Sequence, residues 1–155
     1  MTSSQPTPPS GQDLAKAAAK RIMSALYPDV DISIDADGRV TGRALFAPER
    51  EHTGAPGWVQ GGLSATVLDF VAARTAKATL DSSVATGTLD IRYRQPVLIE
   101  GGPYDVVSSC DSARSRTVRV QAAILSTDGR PLVEANGLFV GVTRDGPTAT
   151  PIEDV

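Results

Sequence analysis

One carboxylate stands out in this chain. Asp69 lies in the middle of Gln60 to Leu80, a run whose other residues are mostly apolar or small. Aspartate is a poor mid-helix residue, and an ionised carboxylate is costly to bury without a partner. Arg74 is the nearest cation along the run, five residues on, and is badly phased for a helix pair. Such a group suits general-base or nucleophilic chemistry, although it would also satisfy physics by reaching a backbone amide or a distant arginine. A second feature opens the same run. Gln60-Gly61-Gly62 would leave unpaired amides at the positive end of the helix dipole, where a carbonyl oxygen can be held and its developing charge stabilised. Two glycines there would equally permit tight packing. Gly61 and Asp69 are eight residues apart, roughly 12 Å along a helix at about 1.5 Å per residue. One small reacting group cannot touch both on one helix. Two chains related by a two-fold axis solve this, with Gly61 of one facing Asp69 of the other, so if these residues act together the protein should be at least a dimer.

These residues need a scaffold. The pattern predicts a tail over 1–11 rich in Ser, Pro and Thr, one domain over 12–143, and a flexible tail over 144–155. Helical periodicity runs from Asp13 to Tyr27 and stops at Pro28. Val30 to Asp35 and Arg39 to Phe46 read as strands joined at Asp37-Gly38. Ala47 to Val59 reads as a Pro/Gly loop, followed by the central helix, Gln60 to Leu80. That helix groups Leu63, Val67, Phe70 and Val71 on one side and Gly62, Ala65, Ala72, Ala73 and Ala76 on the other, as a helix buried all round would. Four strands follow: Ala85 to Tyr93, Tyr104 to Asp111, Thr117 to Ser126 and Leu132 to Val142. The fold class is α+β, an antiparallel sheet wrapped around one long helix and preceded by an N-terminal helix.

Composition narrows the partners. At 155 residues, with 41% hydrophobic and 21% charged residues, the chain suits one globular domain. A net charge of −3 gives no bulk attraction to nucleic acid or to an anionic membrane, and neither is expected as a partner. No apolar h-region opens the chain and no run is long enough to span a bilayer, so the expected location is cytoplasmic. The single cysteine, Cys110, excludes an internal disulfide and reads as a buried thiol. With one His as well, neither a metal site nor a cofactor is expected.

The segment Glu51-His52-Thr53-Gly54-Ala55-Pro56-Gly57-Trp58-Val59-Gln60-Gly61-Gly62, running on to Asp69, resembles the hotdog-fold acyl-CoA thioesterases of the phenylacetate-pathway and 4-hydroxybenzoyl-CoA type. The shared pattern is a Gly-rich loop, His-Gly-Gly, and an acidic residue two helical turns later. Thr86 to Pro96 is similar to the family's strand ending in Arg-Pro, and Asp128 to Phe139 to its final hairpin. The likeness covers about residues 30–142. It implies a homodimer or homotetramer that hydrolyses an acyl-CoA to free acid and CoA. The Gly61 amide would polarise the thioester carbonyl, Asp69 would act as base or nucleophile, and Thr86 would help hold the water. Gln60 stands where the family often has His, and Gly54 where some members have Asn. Gln60 keeps a donor and an acceptor but cannot titrate, so it would orient the acyl group or buffer the helix start. Gly62 would line the substrate beside them.

Other residues have two readings each. Trp58 is either a wall of the acyl pocket or a hydrophobic staple. Arg92, Arg94, Arg114 and Arg116 are either contacts for the CoA phosphates or solvated surface charge. His52, the only histidine, suits a solvated or loop-capping role, and no nucleophile-elbow pattern accompanies it. Two rival functions fit the same scaffold: a non-catalytic acyl-thioester binding protein, and a hydratase or dehydratase, which would need His52.

Overall fold

The structure, a computed structural model, describes residues 10–110, 113 and 115–142. Most of the two expected tails lies outside the described residues, but Ser10 and Gly11 do not. They open helix α1, Gly11–Leu26, because Ser10 and Asp13 form a reciprocal capping box. Strands β1 (Asp31–Ile34) and β2 (Val40–Phe46) follow, then helix α2 (Gly61–Leu80). Strands β3 (Ser83–Tyr93), β4 (Tyr104–Cys110), β5 (Thr117–Leu125) and β6 (Pro131–Val142) complete the fold. Short 3₁₀ turns at Arg50–His52 and Ile99–Gly101 bracket the loops beside α2. The expected order of helix, two strands, helix and four strands is the observed one.

All strand pairs are antiparallel, in the order β1-β2-β4-β5-β6-β3. The sheet curls around α2, and the core forms between them from Phe46, Val67, Leu68, Val71, Val106, Ile124 and Phe139, all inaccessible to solvent. Inward-facing residues alternate with outward ones along β4 and β5, as an antiparallel sheet with one covered face requires. The two sheet edges differ in length: β1 has four residues and β3 eleven.

The expected grouping of α2 residues is revised. Ser64, Val67, Leu68, Val71, Ala72, Thr75 and Ala76 together form the buried face against the sheet. Leu63 and Phe70 turn partly away from it and are half-buried. Composition alone could not set this phase, since small and large apolar residues occur on both sides. Opposite the buried face runs the stripe Gly62, Thr66, Asp69 and Ala73, none of it fully buried. Helix α1 covers one flank of α2, with the Tyr27 ring edge-on to Phe70 at a centroid distance of 5.0 Å.

Candidate active site

Asp69 sits on the small-residue stripe of α2, half-buried, and accepts a hydrogen bond on Oδ1 from the Thr86 hydroxyl at 2.9 Å. The two residues are brought together by β3, which returns antiparallel to β6 beside the helix. Between Thr86 and Thr88 the register shifts by one residue. Gly87 is the extra residue of that bulge, and bulges of this kind re-aim neighbouring side chains. A Cβ on Gly87 would come within 3.3 Å of the Leu138 carbonyl, so the close strand approach there favours glycine. No Lys, Arg or His forms an ion pair with Asp69 among the described residues. Of the bland alternatives for Asp69, a backbone amide and a distant arginine, neither is its partner.

The start of α2 is built from a pinned loop. The Gln60 amide donates to the His52 carbonyl at 2.8 Å, Gly54 donates to the Trp58 carbonyl at 2.9 Å, and Val59 donates to Val97 at 2.8 Å. Gly54 lies so close to the helix start that a Cβ there would stand 2.9 Å from the Gln60 Cα. Gln60 is the N-cap, its Oε1 accepting from the Leu63 amide at 3.0 Å. Its acceptor is therefore engaged on the helix, and the Nε2 group is left as the outward donor. The amides of Gly61 and Gly62 donate to no group among the described residues. No acidic residue occupies the first turn, so the positive end of the helix is uncompensated.

A pocket of about 290 Å³ adjoins this end, lined by Trp58, Gly61, Tyr93, Arg94, Pro96 and Val133 among others. Trp58 is 49% exposed and bridges to Leu98 rather than stapling the helix entry. Val59 is the residue directly before the cap and the one that is buried. The Tyr93 hydroxyl donates to the Gly61 carbonyl at 2.8 Å. Sequence reasoning did not single out Tyr93. The only signal available was its place at the end of a strand, three residues before Pro96.

The arginines separate. Arg94 lines the pocket beside Gly61 and also reaches the far-face concavity that Arg92 lines, where it is paired with Glu134. Arg92 lies exposed on the far face of the sheet, in register with Glu134. Arg116 donates to the Gly141 carbonyl at 3.1 Å, near the C-terminal end of α2 and away from Gly61. Arg114 lies outside the described residues. His52 is fully buried, so the solvated role is excluded and the loop-capping role remains. Its Nδ1 accepts from the Glu49 amide at 2.7 Å, and Nε2 lies 3.4 Å from the Ile22 carbonyl. Burial follows because α1 and the Phe46 ring close over the loop. Cys110 is buried against the Thr79 hydroxyl. No group of three or more His, Cys, Asp or Glu suited to a metal occurs among the described residues. Nor is any helix there long and apolar enough to cross a membrane.

No family model matches the chain. Over 104 residues it is 33% identical to an acyl-coenzyme A thioesterase of Rattus norvegicus, a match covering 66% of this chain and 44% of that protein. The chain thus spans less than half the length of this relative. Among solved structures it superposes on a thioesterase superfamily protein with a TM-score of 0.59 and 29% identity, covering 73% of this chain and 56% of the other. It also superposes on a Streptococcus mutans protein solved with acetyl CoA bound, with a TM-score of 0.58 and 14% identity over 75% of this chain and 90% of the other. The fold is the hotdog fold that the sequence resemblance implied, and its structural neighbours are thioesterase superfamily proteins.

Proposed function

We propose that the protein is an acyl-CoA thioesterase acting as a homodimer, with Asp69 as base or nucleophile and the first amides of α2 as the carbonyl-binding group. The observation that carries this reading is the arrangement of α2. An aspartate held by Thr86 lies two turns from a helix end whose amides are open and whose first turn has no acid. The rat relative and the neighbour with acetyl CoA bound support the substrate class. The stripe Gly62, Thr66, Asp69 and Ala73 is narrow enough for a second helix to approach closely, and the unpaired edge of β3 lies beside it. Antiparallel helices about a two-fold would bring Asp69 of each chain to the Gly61 amide of the other.

In that site the thioester carbonyl oxygen lies against the Gly61 amide, with Gly62 and the Gln60 Nε2 beside it. Asp69 takes the proton of a water that Thr86 helps to hold. The new C–O bond forms, the C–S bond breaks, and CoA leaves as the thiol with that proton. Trp58 and Gly54 would shape the acyl side, and among the described residues Arg94 is the arginine placed beside Gly61 for the CoA arm. Burial of His52, with both ring nitrogens engaged, counts against a hydratase or dehydratase.

The test is thiol release from a panel of aliphatic, aromatic and branched acyl-CoAs, comparing wild type with Asp69→Asn. A loss of about 10²-fold or more in kcat is expected for a positioned acid–base group. Binding without turnover on every substrate would replace this reading with that of a non-catalytic acyl-thioester binder. Sedimentation should give twice the 16.2 kDa chain mass, or a multiple of that dimer.

A further inference from the structure

We propose that Tyr93 is a positioning residue for the carbonyl-binding end of α2, fixing and polarising the Gly61–Gly62 peptide so that the Gly62 amide becomes a second strong donor beside Gly61. This rests on the thioesterase reading and deepens it. Tyr93 closes β3, where its backbone is held in register opposite Val133 of β6. From there its hydroxyl reaches the Gly61 carbonyl at 2.8 Å. Its ring lies along the Gly61 backbone, where an added Cβ would stand 3.3–3.4 Å from the ring edge and hydroxyl. Glycine at this position is what lets the phenol come so near.

Gly61 is the first residue of α2. Its carbonyl therefore also receives the ordinary helical hydrogen bond from one turn further on. A carbonyl that accepts two hydrogen bonds draws density from its own peptide unit, and the other end of that unit is the Gly62 N–H. Each donor on the Gly61 oxygen thus makes the Gly62 amide a better donor in turn. The same bond stops the first peptide of the helix from rocking, where fraying would otherwise be greatest. Packing does not account for the hydroxyl. Tyr93 is 54% exposed, and a phenylalanine ring would cover the same backbone. Each β3 then steadies one half of each of the two sites in the dimer, since it supplies Thr86 to the Asp69 and Tyr93 to the Gly61 of its own chain.

The experiment is Tyr93→Phe, which keeps the ring and removes only the donor. Losing one hydrogen bond that matters at the transition state should lower kcat roughly 3- to 10-fold. KM should stay within about twofold, because ground-state binding is little changed. The Gly62 amide proton should move upfield in the ¹H–¹⁵N spectrum, while the melting temperature holds. An unchanged kcat with an unchanged Gly62 signal overturns the proposal, as does a loss of kcat that merely tracks a loss of stability. If wild type turns over no acyl-CoA, it is the thioesterase reading that fails. The Gly62 shift then decides the coupling by itself: a shift upholds the positioning role, and no shift removes it.

Discussion

The two helices of this protein begin in the same way and are finished differently. At α1, Ser10 accepts a hydrogen bond from the third residue of the helix, Asp13. At α2, Gln60 accepts one from the third residue, Leu63. The geometry of the cap is shared, but the charge is not. Helix α1 places a carboxylate in its first turn, and that carboxylate takes hydrogen bonds from the Ser10 hydroxyl and amide. Its positive end is neutralised by its own sequence. Helix α2 has a neutral cap, two glycines and no acid in the first turn; its carboxylate is displaced two turns along, to Asp69. A helix end that only has to be stable takes its anion from the chain. On the proposed reading, the start of α2 leaves that place empty for an anion that develops on the substrate.

The most direct way to break this contrast is to make α2 begin like α1. Gly62→Asp would set a carboxylate against the open amides. The new Cβ would meet the Gln60 Oε1 at 2.9 Å, the movable end of a side chain, so the helix itself should survive. Turnover of acyl-CoA should fall by about 10²-fold or more, the scale seen when an oxyanion donor is lost. Gly62→Asn has nearly the same shape without the charge, and steady-state kinetics should show it to be at least about tenfold less damaging. Equal losses in the two variants would mean that space, and not charge, matters at this end.

A smaller effect is expected at the displaced carboxylate. Thr86→Val keeps the shape of the side chain and removes the 2.9 Å hydrogen bond to Asp69. Hydrogen bonds to charged groups are worth about 1.5–3 kcal/mol, so kcat should fall roughly tenfold or more. Asp69→Asn should be the larger of the two, because it removes the proposed proton acceptor itself. If Thr86→Val leaves kcat unchanged, the threonine serves only the fold of the bulge.

Much of this was legible in the sequence, for a physical reason. The pattern changes from helical to alternating after Asp81, and Pro28, Asp37-Gly38 and the Pro/Gly loop before Gln60 punctuate the earlier changes, so the element order could be read directly. Asp69 and Gly61 also announced themselves, one as a charge among apolar residues and the other as a pair of glycines at a helix start. The contacts did not. Thr86 reaches Asp69 across 17 residues and Tyr93 reaches Gly61 across 32, and both depend on how β3 folds back and where it bulges. The family resemblance supplied Thr86, and nothing local supplied Tyr93. His52 suited either a solvated or a loop-capping role, and the choice is made by α1, which covers it through a contact 30 residues away. The phase of α2 was misread because its small residues suit either face. Arg116 bonds the Gly141 carbonyl near the far end of α2, a placement set by how β5 and β6 pair and not by any local pattern.

The caps themselves give a weaker test of the same comparison. Gln60→Ala should cost about 1 kcal/mol, the usual value of an N-cap. Because α2 is the core helix, that loss should appear as a global fall in melting temperature of about 2–4 °C for a chain of this size. Ser10→Ala removes a cap of the same kind from a helix that lies outside the sheet. Its cost should appear as faster amide exchange along α1, with the global melting temperature held within about 1 °C.

The smallest effect is one of pH, and it separates the two helix starts without mutation. The Ser10 hydroxyl, and then its amide, hold the Asp13 carboxyl below the ordinary aspartate range. A group whose value is depressed in the folded state contributes stability that is fully present above its unfolded value and is lost as pH falls through the folded one. The capping box at α1 should therefore weaken from the ordinary carboxylate range downward. Native-state hydrogen exchange at pH 6 and at pH 3, corrected for intrinsic rates, should show protection falling in the first turn of α1. The first turn of α2 has an amide side chain as its cap and no acid of its own, so its protection relative to the rest of α2 should not change. Parallel losses in both helices would mean that acid acts on the fold as a whole. A loss confined to α1 would mean that only one of the two ends is held by charge, and that the other is open for a charge that arrives with the substrate.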